Sequence, residues 1–206
     1  MVRSRIPVTL LAILGLLTAG FALLGLALAP SGAELAVHNA TSATFGSPPG
    51  SVSFTLDVST SVTTRRGSAA REVRLVEFRA PDHMAVFQTT PTRRLLGRPG
   101  PAAIRQVLGE YGALTTGPTA WARHGSLFER TETLSAFAWR VSHQKSLTGT
   151  AHETAVVRGG FLVRVSLVID VPVQKLSSGG TAAGGVEHES FDFLRIAGKP
   201  APAVNG

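Results

Sequence analysis

Hydrophobic residues in this chain follow three patterns: one continuous run, several stretches that alternate with polar residues, and one stretch with helical spacing. The continuous run covers residues 6–29 and contains no charged residue. About 20 apolar residues suffice to cross the hydrocarbon core of a bilayer. Arg3 and Arg5 precede the run, and the next Lys or Arg is Arg65. Because basic residues favour the cytoplasmic side, the pattern predicts a single-pass transmembrane helix over 6–29 with a cytoplasmic stub at 1–5.

A cleaved signal peptide is the alternative interpretation of the same run. Ser31, Gly32 and Ala33 supply small residues just before Glu34. The apolar region of a signal peptide usually spans about 7–15 residues, which is shorter than this run, so the anchor is favoured. We therefore expect a cell-membrane protein with an extracytoplasmic C-terminal domain, and a secreted domain in the alternative case.

The alternating stretches predict β-strands, since side chains point to opposite faces of a strand in turn. Period-two alternation is present in residues 52–58, 71–79, 82–89 and 187–196. Residues 148–173 read as a long β-hairpin around a Gly-Gly turn. The chain therefore predicts an antiparallel sheet of about seven to nine strands.

A single stretch after residue 30 has clear helical spacing. Its apolar positions follow i, i+3, i+4, i+7: Ile104, Val107, Leu108 and Tyr111. Pro101 fits the first helical position and Gly112 fits the end. One helix cannot cover both faces of such a sheet, so we expect a mainly β (α+β) fold in which a curved antiparallel sheet or half-barrel packs on one helix.

Composition completes the predicted domain organisation. Residues 30–50 are rich in Ala, Ser, Thr, Gly and Pro and are typical of a flexible linker. The β-rich domain is then expected over 51–199, with a loose tail at 200–206. The chain has no cysteine, which excludes disulfides, thiolate zinc sites and lipidation through a cysteine.

The charge balance indicates anionic partners. The chain has a net charge of +7, and 18 Lys and Arg residues face 13 acidic ones once Arg3 and Arg5 are set aside. Nucleic acid is not expected, because the domain is predicted to lie outside the cell and its arginines are not interleaved with stacking aromatics. Anionic lipid head groups or cell-wall polymers are the better candidates, and a solvated surface of mixed charge is the simpler alternative.

No polar motif predicts catalysis, a metal or a cofactor. Ser142 and Lys145 have S-x-x-K spacing but lack the K-T-G and S-D-N motifs that such enzymes need. The pairs His152-Glu153 and Glu187-His188-Glu189 are interpreted as exposed strand positions, with His188 facing away from both glutamates. We therefore predict that the chain is not an enzyme.

Apolar residues give the stronger functional indication, because small-ligand sites are concave and mostly apolar. The predicted lining of such a cavity comprises Phe54, Leu56, Val86, Phe87, Ile104, Val107, Leu108, Trp121, Phe137 and Trp139. Three arginines before the helix are candidates for binding an anionic head group at its mouth: Arg93, Arg94 and Arg98. The same apolar residues would also be expected in an ordinary packed core.

The arrangement resembles the LolA-like and LppX/LprG-like lipid and lipoprotein carriers of bacterial envelopes. The resemblance covers residues 51–199 and rests on SVSFTLDVSTSV, VRLVEFRAPDHMAVFQ, the helix that follows, and FDFLRIAGKPAP near the end of the chain. It implies an incomplete antiparallel barrel that holds acyl chains against a helix. LppX-type members are anchored through a lipidated cysteine, which this chain lacks, and LolA-type carriers are released rather than tethered.

Two functions are therefore expected from the sequence. The first is a membrane-anchored extracytoplasmic domain that binds lipid or acyl chains between the sheet and its helix. The alternative is a protein-interaction or envelope-sensing module with a solid core, no ligand and an envelope protein as its partner.

Overall fold

The structure is a computed structural model that describes residues 32–65, 67, 69–89, 92–113, 115–116, 119–137, 148–175, 181–182 and 184–204. The predicted transmembrane helix at 6–29, its signal-peptide alternative and Trp139 lie outside these residues. Within the described part, no helix is long and apolar enough to cross a membrane.

One large antiparallel sheet dominates the described residues. Its strands are β1 Phe54–Thr64, β2 Ala69–Arg79, β3 His83–Gln88, β4 Arg94–Gly97, β5 Ala122–His124, β6 Leu127–Thr133, β7 Thr150–Arg158, β8 Phe161–Val171, β11 Gly185–Ile196 and β12 Lys199–Pro200. The order across the sheet is β4-β3-β2-β1-β11-β8-β7-β6-β5, and β12 pairs with the end of β11. The short strands β9 Gln174–Lys175 and β10 Thr181–Ala182 pair with each other. The predicted mainly β class is therefore confirmed, with more strands than the seven to nine expected.

The alternating stretches form strands where they were predicted. In β1, Phe54, Leu56 and Val58 are buried, whereas the intervening residues are partly exposed. The predicted hairpin is β7 and β8, and its turn residues Gly159 and Gly160 have φ angles of 56° and 79°. Positive φ at both central residues is what a type I′ turn requires, and glycine adopts it without steric cost.

Two helices pack on one face of the sheet, which we call the inner face. Helix α1 is Gly32–Phe45 and contacts β7 and β8, and α2 is Pro101–Ala113 and contacts β3. Helix α2 begins at the predicted proline, so that prediction is confirmed. Phe45 of α1 and Tyr111 of α2 both contact the ring of Phe54 on β1, at centroid distances of 5.4 Å and 6.5 Å.

The predicted flexible linker at 30–50 is wrong, because most of it is α1. Val37, Ala40, Thr44 and Phe45 are buried against the sheet. The backbone N–H of Leu162 on β8 donates a hydrogen bond to Thr44 Oγ1 at 2.9 Å. Small and hydroxyl-bearing residues allow the helix to approach the sheet closely, and they gave this segment the composition of a linker.

Two further segments differ from expectation. Strand β4 lies between the predicted strand at 82–89 and the predicted helix, where no strand was predicted, and residues 134–137 are helical although a single helix was predicted after residue 30. The predicted tail begins inside β12, whose Pro200 pairs with Arg195 of β11. The folded unit therefore extends from Gly32 through β12, beyond both ends of the predicted domain.

Candidate functional site

Most of the predicted cavity residues lie in or against one hydrophobic core. Six are buried: Phe54, Leu56, Ile104, Leu108, Trp121 and Phe137. Val86 on β3 and Val107 on α2 are partly exposed and pack against this core. The structure therefore brings these eight residues together in or against one hydrophobic core.

Phe87 lies on the opposite, outer face. Strand alternation requires this, because Val86 pairs with the inner-face Val76 whereas Phe87 pairs with Leu75. The guanidinium of Arg93 lies 4.4 Å from the centroid of the Phe87 ring, a cation–π geometry. Phe87 is therefore a surface residue that supports an arginine, and it does not line a space between sheet and helices.

The three candidate head-group arginines lie in or next to the edge strand β4: Arg94 is its first residue, and Arg93 and Arg98 flank it in sequence. Arg93, Arg94 and Arg98 are all exposed. Arg93 donates a hydrogen bond from Nη2 to Oε1 of Glu77 on β2 at 2.6 Å. They lie beside the exposed Leu95 and Leu96 of β4, so the basic segment is an apolar and cationic edge of the sheet.

A row of charged side chains crosses the inner face beyond the aromatic core. The strand register aligns the row across six strands in the order Glu72, Thr60, Glu189, Leu167, Glu153 and Arg130. Glu187 and Glu132 belong to the next row on the same face. Sequence reasoning placed the glutamates of the His152-Glu153 and Glu187-His188-Glu189 segments on the surface. That prediction is wrong for Glu153, Glu187 and Glu189, which are buried, and it is correct for the exposed His188.

One end of this row is neutralised by a buried ion pair. Arg130 on β6 donates hydrogen bonds from Nε and Nη2 to Oε2 of Glu153 at 2.8 Å and 2.5 Å. A further bond from Nη2 reaches the carbonyl oxygen of Thr116 at 2.8 Å. The Arg130 guanidinium lies 4.3 Å from the centroid of the Trp121 ring. Trp121 therefore stacks on a buried arginine in addition to filling the core.

The carboxyls of Glu187 and Glu189 on β11 have no such basic partner within hydrogen-bonding distance in the described structure. Their residues are only 5% and 6% exposed. The Thr60 hydroxyl donates to Oε1 of Glu189 at 3.2 Å, whereas Oε2 of Glu189 is buried without a hydrogen-bond partner. Burial raises the pKa of Glu187 to about 7. Burial, and secondarily the charge of Glu187, raises the pKa of Glu189 to about 8, although Thr60 and Arg74 oppose the shift.

Helix α2 adds two more titratable groups, Glu110 and Tyr111, and Tyr111 lies close enough to Glu189 to be affected by its charge. Burial raises the pKa of Glu110 to about 7, against the effect of a hydrogen bond that Gln106 donates at 3.1 Å. Burial, followed by the charge of Glu189, raises the pKa of Tyr111 above its ordinary value. The ring of Tyr111 lies 5.6 Å from that of Phe191, the next inward-facing residue after Glu189 on β11.

The inner face therefore combines a buried ion pair with buried carboxyl groups beside an aromatic core. A protonated carboxyl can donate a hydrogen bond, and an ionised one accepts hydrogen bonds from hydroxyls or amines. In the described residues, no group of three or more His, Asp or Glu side chains is arranged to hold a metal ion.

A signal for these missed residues was present in the sequence. Glu187 and Glu189 have the same parity as Phe191 and Phe193 in VEHESFDF, so strand alternation places all four on one face. The general rule that glutamates are exposed outweighed this alternation.

Comparison with known proteins gives limited information. No protein-family model matches the chain, and neither does any curated protein sequence. A crystal structure of a LolA superfamily protein from Nitrosomonas europaea matches 82% of this chain and 94% of its own, at 11% identity and a TM-score of 0.33. A structure that describes lipid–protein interactions in lipovitellin matches 75% of this chain but only 26% of its own, at 9% identity and a TM-score of 0.33. With TM-scores this low, neither similarity supports an inference about the ligand of this chain.

Proposed function

We propose that this chain is a membrane-anchored extracytoplasmic domain that binds an amphiphilic ligand, a lipid or acyl chain, between the inner face and its helices. The observation that carries the proposal is the buried Oε2 of Glu189, which lacks a hydrogen-bond partner in the described structure. An unsatisfied buried polar group costs about 1–3 kcal/mol, so its presence in a folded core calls for an explanation.

A ligand with a polar group and an apolar chain accounts for this arrangement. Its hydroxyl, amine or ester carbonyl group supplies the missing partner of Glu189. Apolar residues for its chain to contact lie next to Glu189: Leu167 on β8 pairs with Glu189, and Phe191 follows two residues later on β11. The partly exposed Val86 and Val107 extend this apolar surface toward the seam between β3 and α2.

A solid-core interaction module is the second candidate, and it also has an observation in its favour. Six of the predicted cavity residues are fully packed in the core, which needs no ligand to explain their burial. In this case an envelope protein is the partner, and Glu187 and Glu189 are accommodated in the core in their neutral, protonated form.

Lipid retention distinguishes the two candidates. The full chain is produced with export in its host, released in a mild detergent, and measured by native mass spectrometry followed by organic extraction. The binding proposal predicts a bound species of lipid mass that decreases in a Val107→Gln variant. Leu194→Gln, at an exposed position on β11, is the control and should retain it. A clean apo mass for the unmodified chain, with no uptake of added phospholipid, would favour the solid-core module.

A further inference from the structure

The edge strand β4 exposes two consecutive leucines. Leu95 is 44% exposed and Leu96 is 47% exposed. Strand β4 is the last strand of the sheet and pairs only with β3 in the described structure. Exposed apolar edge strands are usually shortened, charged or covered, because they invite association. This edge therefore has the composition of a contact surface.

A register shift explains how both leucines reach the surface. Phe87 pairs with Leu95 while the adjacent Val86 pairs with Gly97, so Leu96 is an extra residue in β4. Such a bulge bends its strand and changes the direction of a side chain. Leu96 is thereby freed from the regular alternation that would direct it toward the inner face beside Val86.

Arginines surround the exposed leucines. Arg93 is fixed over the Phe87 ring and bonded to Glu77. Arg94 and Arg98 are exposed, and neither makes an ion pair with an acidic residue in the described structure. The segment therefore offers two uncompensated positive charges beside two apolar side chains.

The geometry points to a membrane-docking surface on β4, which we define as Leu95, Leu96, Arg94 and Arg98. The leucines enter the interfacial region of a bilayer, and the two arginines bind the phosphates of anionic lipids. Apolar side chains combined with basic ones are characteristic of proteins that lie on anionic membrane surfaces. Charge complementarity favours this partner over a second copy of this basic chain, which would bring like charges together.

The docking surface lies at the outer edge of the sheet and requires no ligand at the inner face. Docking through β4 would nevertheless bring Val86 on β3 and Val107 on α2 toward the lipid surface. Strand β4 pairs with β3, and only residues 98–100 separate it from α2. A carrier with this surface could exchange its ligand with the membrane to which it is docked.

Site-specific fluorescence tests the docking surface in the full chain. Because the chain has no cysteine, a single Leu96→Cys substitution gives one site for an environment-sensitive dye. The labelled protein is reconstituted into phosphatidylcholine vesicles with or without phosphatidylglycerol, each also prepared with a spin-labelled quencher lipid. We expect a blue shift and lipid quenching only when phosphatidylglycerol is present, and loss of both at high salt.

Two controls make the result specific. A dye at Leu194→Cys, equally exposed but on β11, should show no quenching. Combining Leu96→Cys with Arg94→Glu and Arg98→Glu should abolish the quenching while the circular dichroism spectrum is retained. Absence of quenching with anionic vesicles would overturn the proposal. Shielding of the dye in the absence of lipid that increases with protein concentration would also overturn it, because it would indicate that a second copy of this chain covers β4. Lipid retention at the inner face is measured separately, so either proposal can fail alone.

Discussion

Replacing Glu189 by glutamine should stabilise this protein at alkaline pH. The carboxyl of Glu189 is buried on β11, and its pKa is raised from 4.5 to about 8, first by burial and then by the charge of Glu187. The folded state therefore retains a proton that the unfolded chain has already lost above pH 4.5. Its contribution to stability is fully present below pH 4.5 and is lost as the pH rises toward 8.

The size of this effect follows from the pKa difference. One pKa unit corresponds to about 1.4 kcal/mol, so a shift from 4.5 to about 8 corresponds to a loss of up to about 5 kcal/mol. Glu187 titrates with Glu189 as a coupled pair, so the observed transition belongs to both residues. Glutamine keeps a neutral polar group of similar shape and removes this titration.

Urea unfolding followed by tryptophan fluorescence at pH 5 to pH 8 measures the effect, because the chain has two tryptophans. The free energy of unfolding of Glu189→Gln should be close to that of the unmodified chain near pH 5. At pH 8 it should be higher by several kcal/mol, up to the limit of about 5 kcal/mol set by the pKa difference. Glu129→Gln, at a partly exposed glutamate of β6, should follow the unmodified profile. A Glu189→Gln variant that is less stable than the unmodified chain at pH 8 would refute the reasoning.

Two further predictions concern stability. Arg130→Met should lower the free energy of unfolding by about 3–5 kcal/mol, because it removes the arginine that pairs with the buried Glu153. Arg130→Lys, which keeps the positive charge, should lower it less. A decrease below about 1 kcal/mol for Arg130→Met in urea unfolding would contradict the importance of the pair. Gly160→Ala should cost about 1–2 kcal/mol, because φ is 79° there. Gly97→Ala, at a glycine with an ordinary φ and open space around it, is its control in thermal unfolding, and equal melting temperatures would contradict the prediction.

Local patterns predicted the sheet well because alternation and glycine turns are properties of neighbouring residues. They predicted β1, β2, β3, β7 and β8, and the helix that begins at Pro101. Helix α1 was missed because its buried positions include Ala40 and Thr44, whose side chains carry little hydrophobic signal. Its stability comes from packing against β8, which no local pattern reports.

The candidate site was harder to predict than the fold. The face of each residue followed from alternation, which also shows that Val86 and Phe87 cannot face the same space. Whether Glu189 is buried depends on which helix lies over β11, and this depends on the tertiary arrangement. The exposure of Leu96 depends on a bulge between β3 and β4, which pairing of distant segments determines.

Photochemical crosslinking of a bound lipid tests the central claim most directly. The full chain is expressed with export in host cells supplied with a fatty acid that carries a photoreactive diazirine, irradiated, purified and mapped by peptide mass spectrometry. If a ligand binds at the inner face, we expect adducts on Val107, Phe191 or their inward-facing neighbours. A Glu189→Ala variant should show fewer adducts on these residues. Adducts confined to outward-facing residues such as Leu194, or none above the level of an unrelated exported protein, would contradict the account.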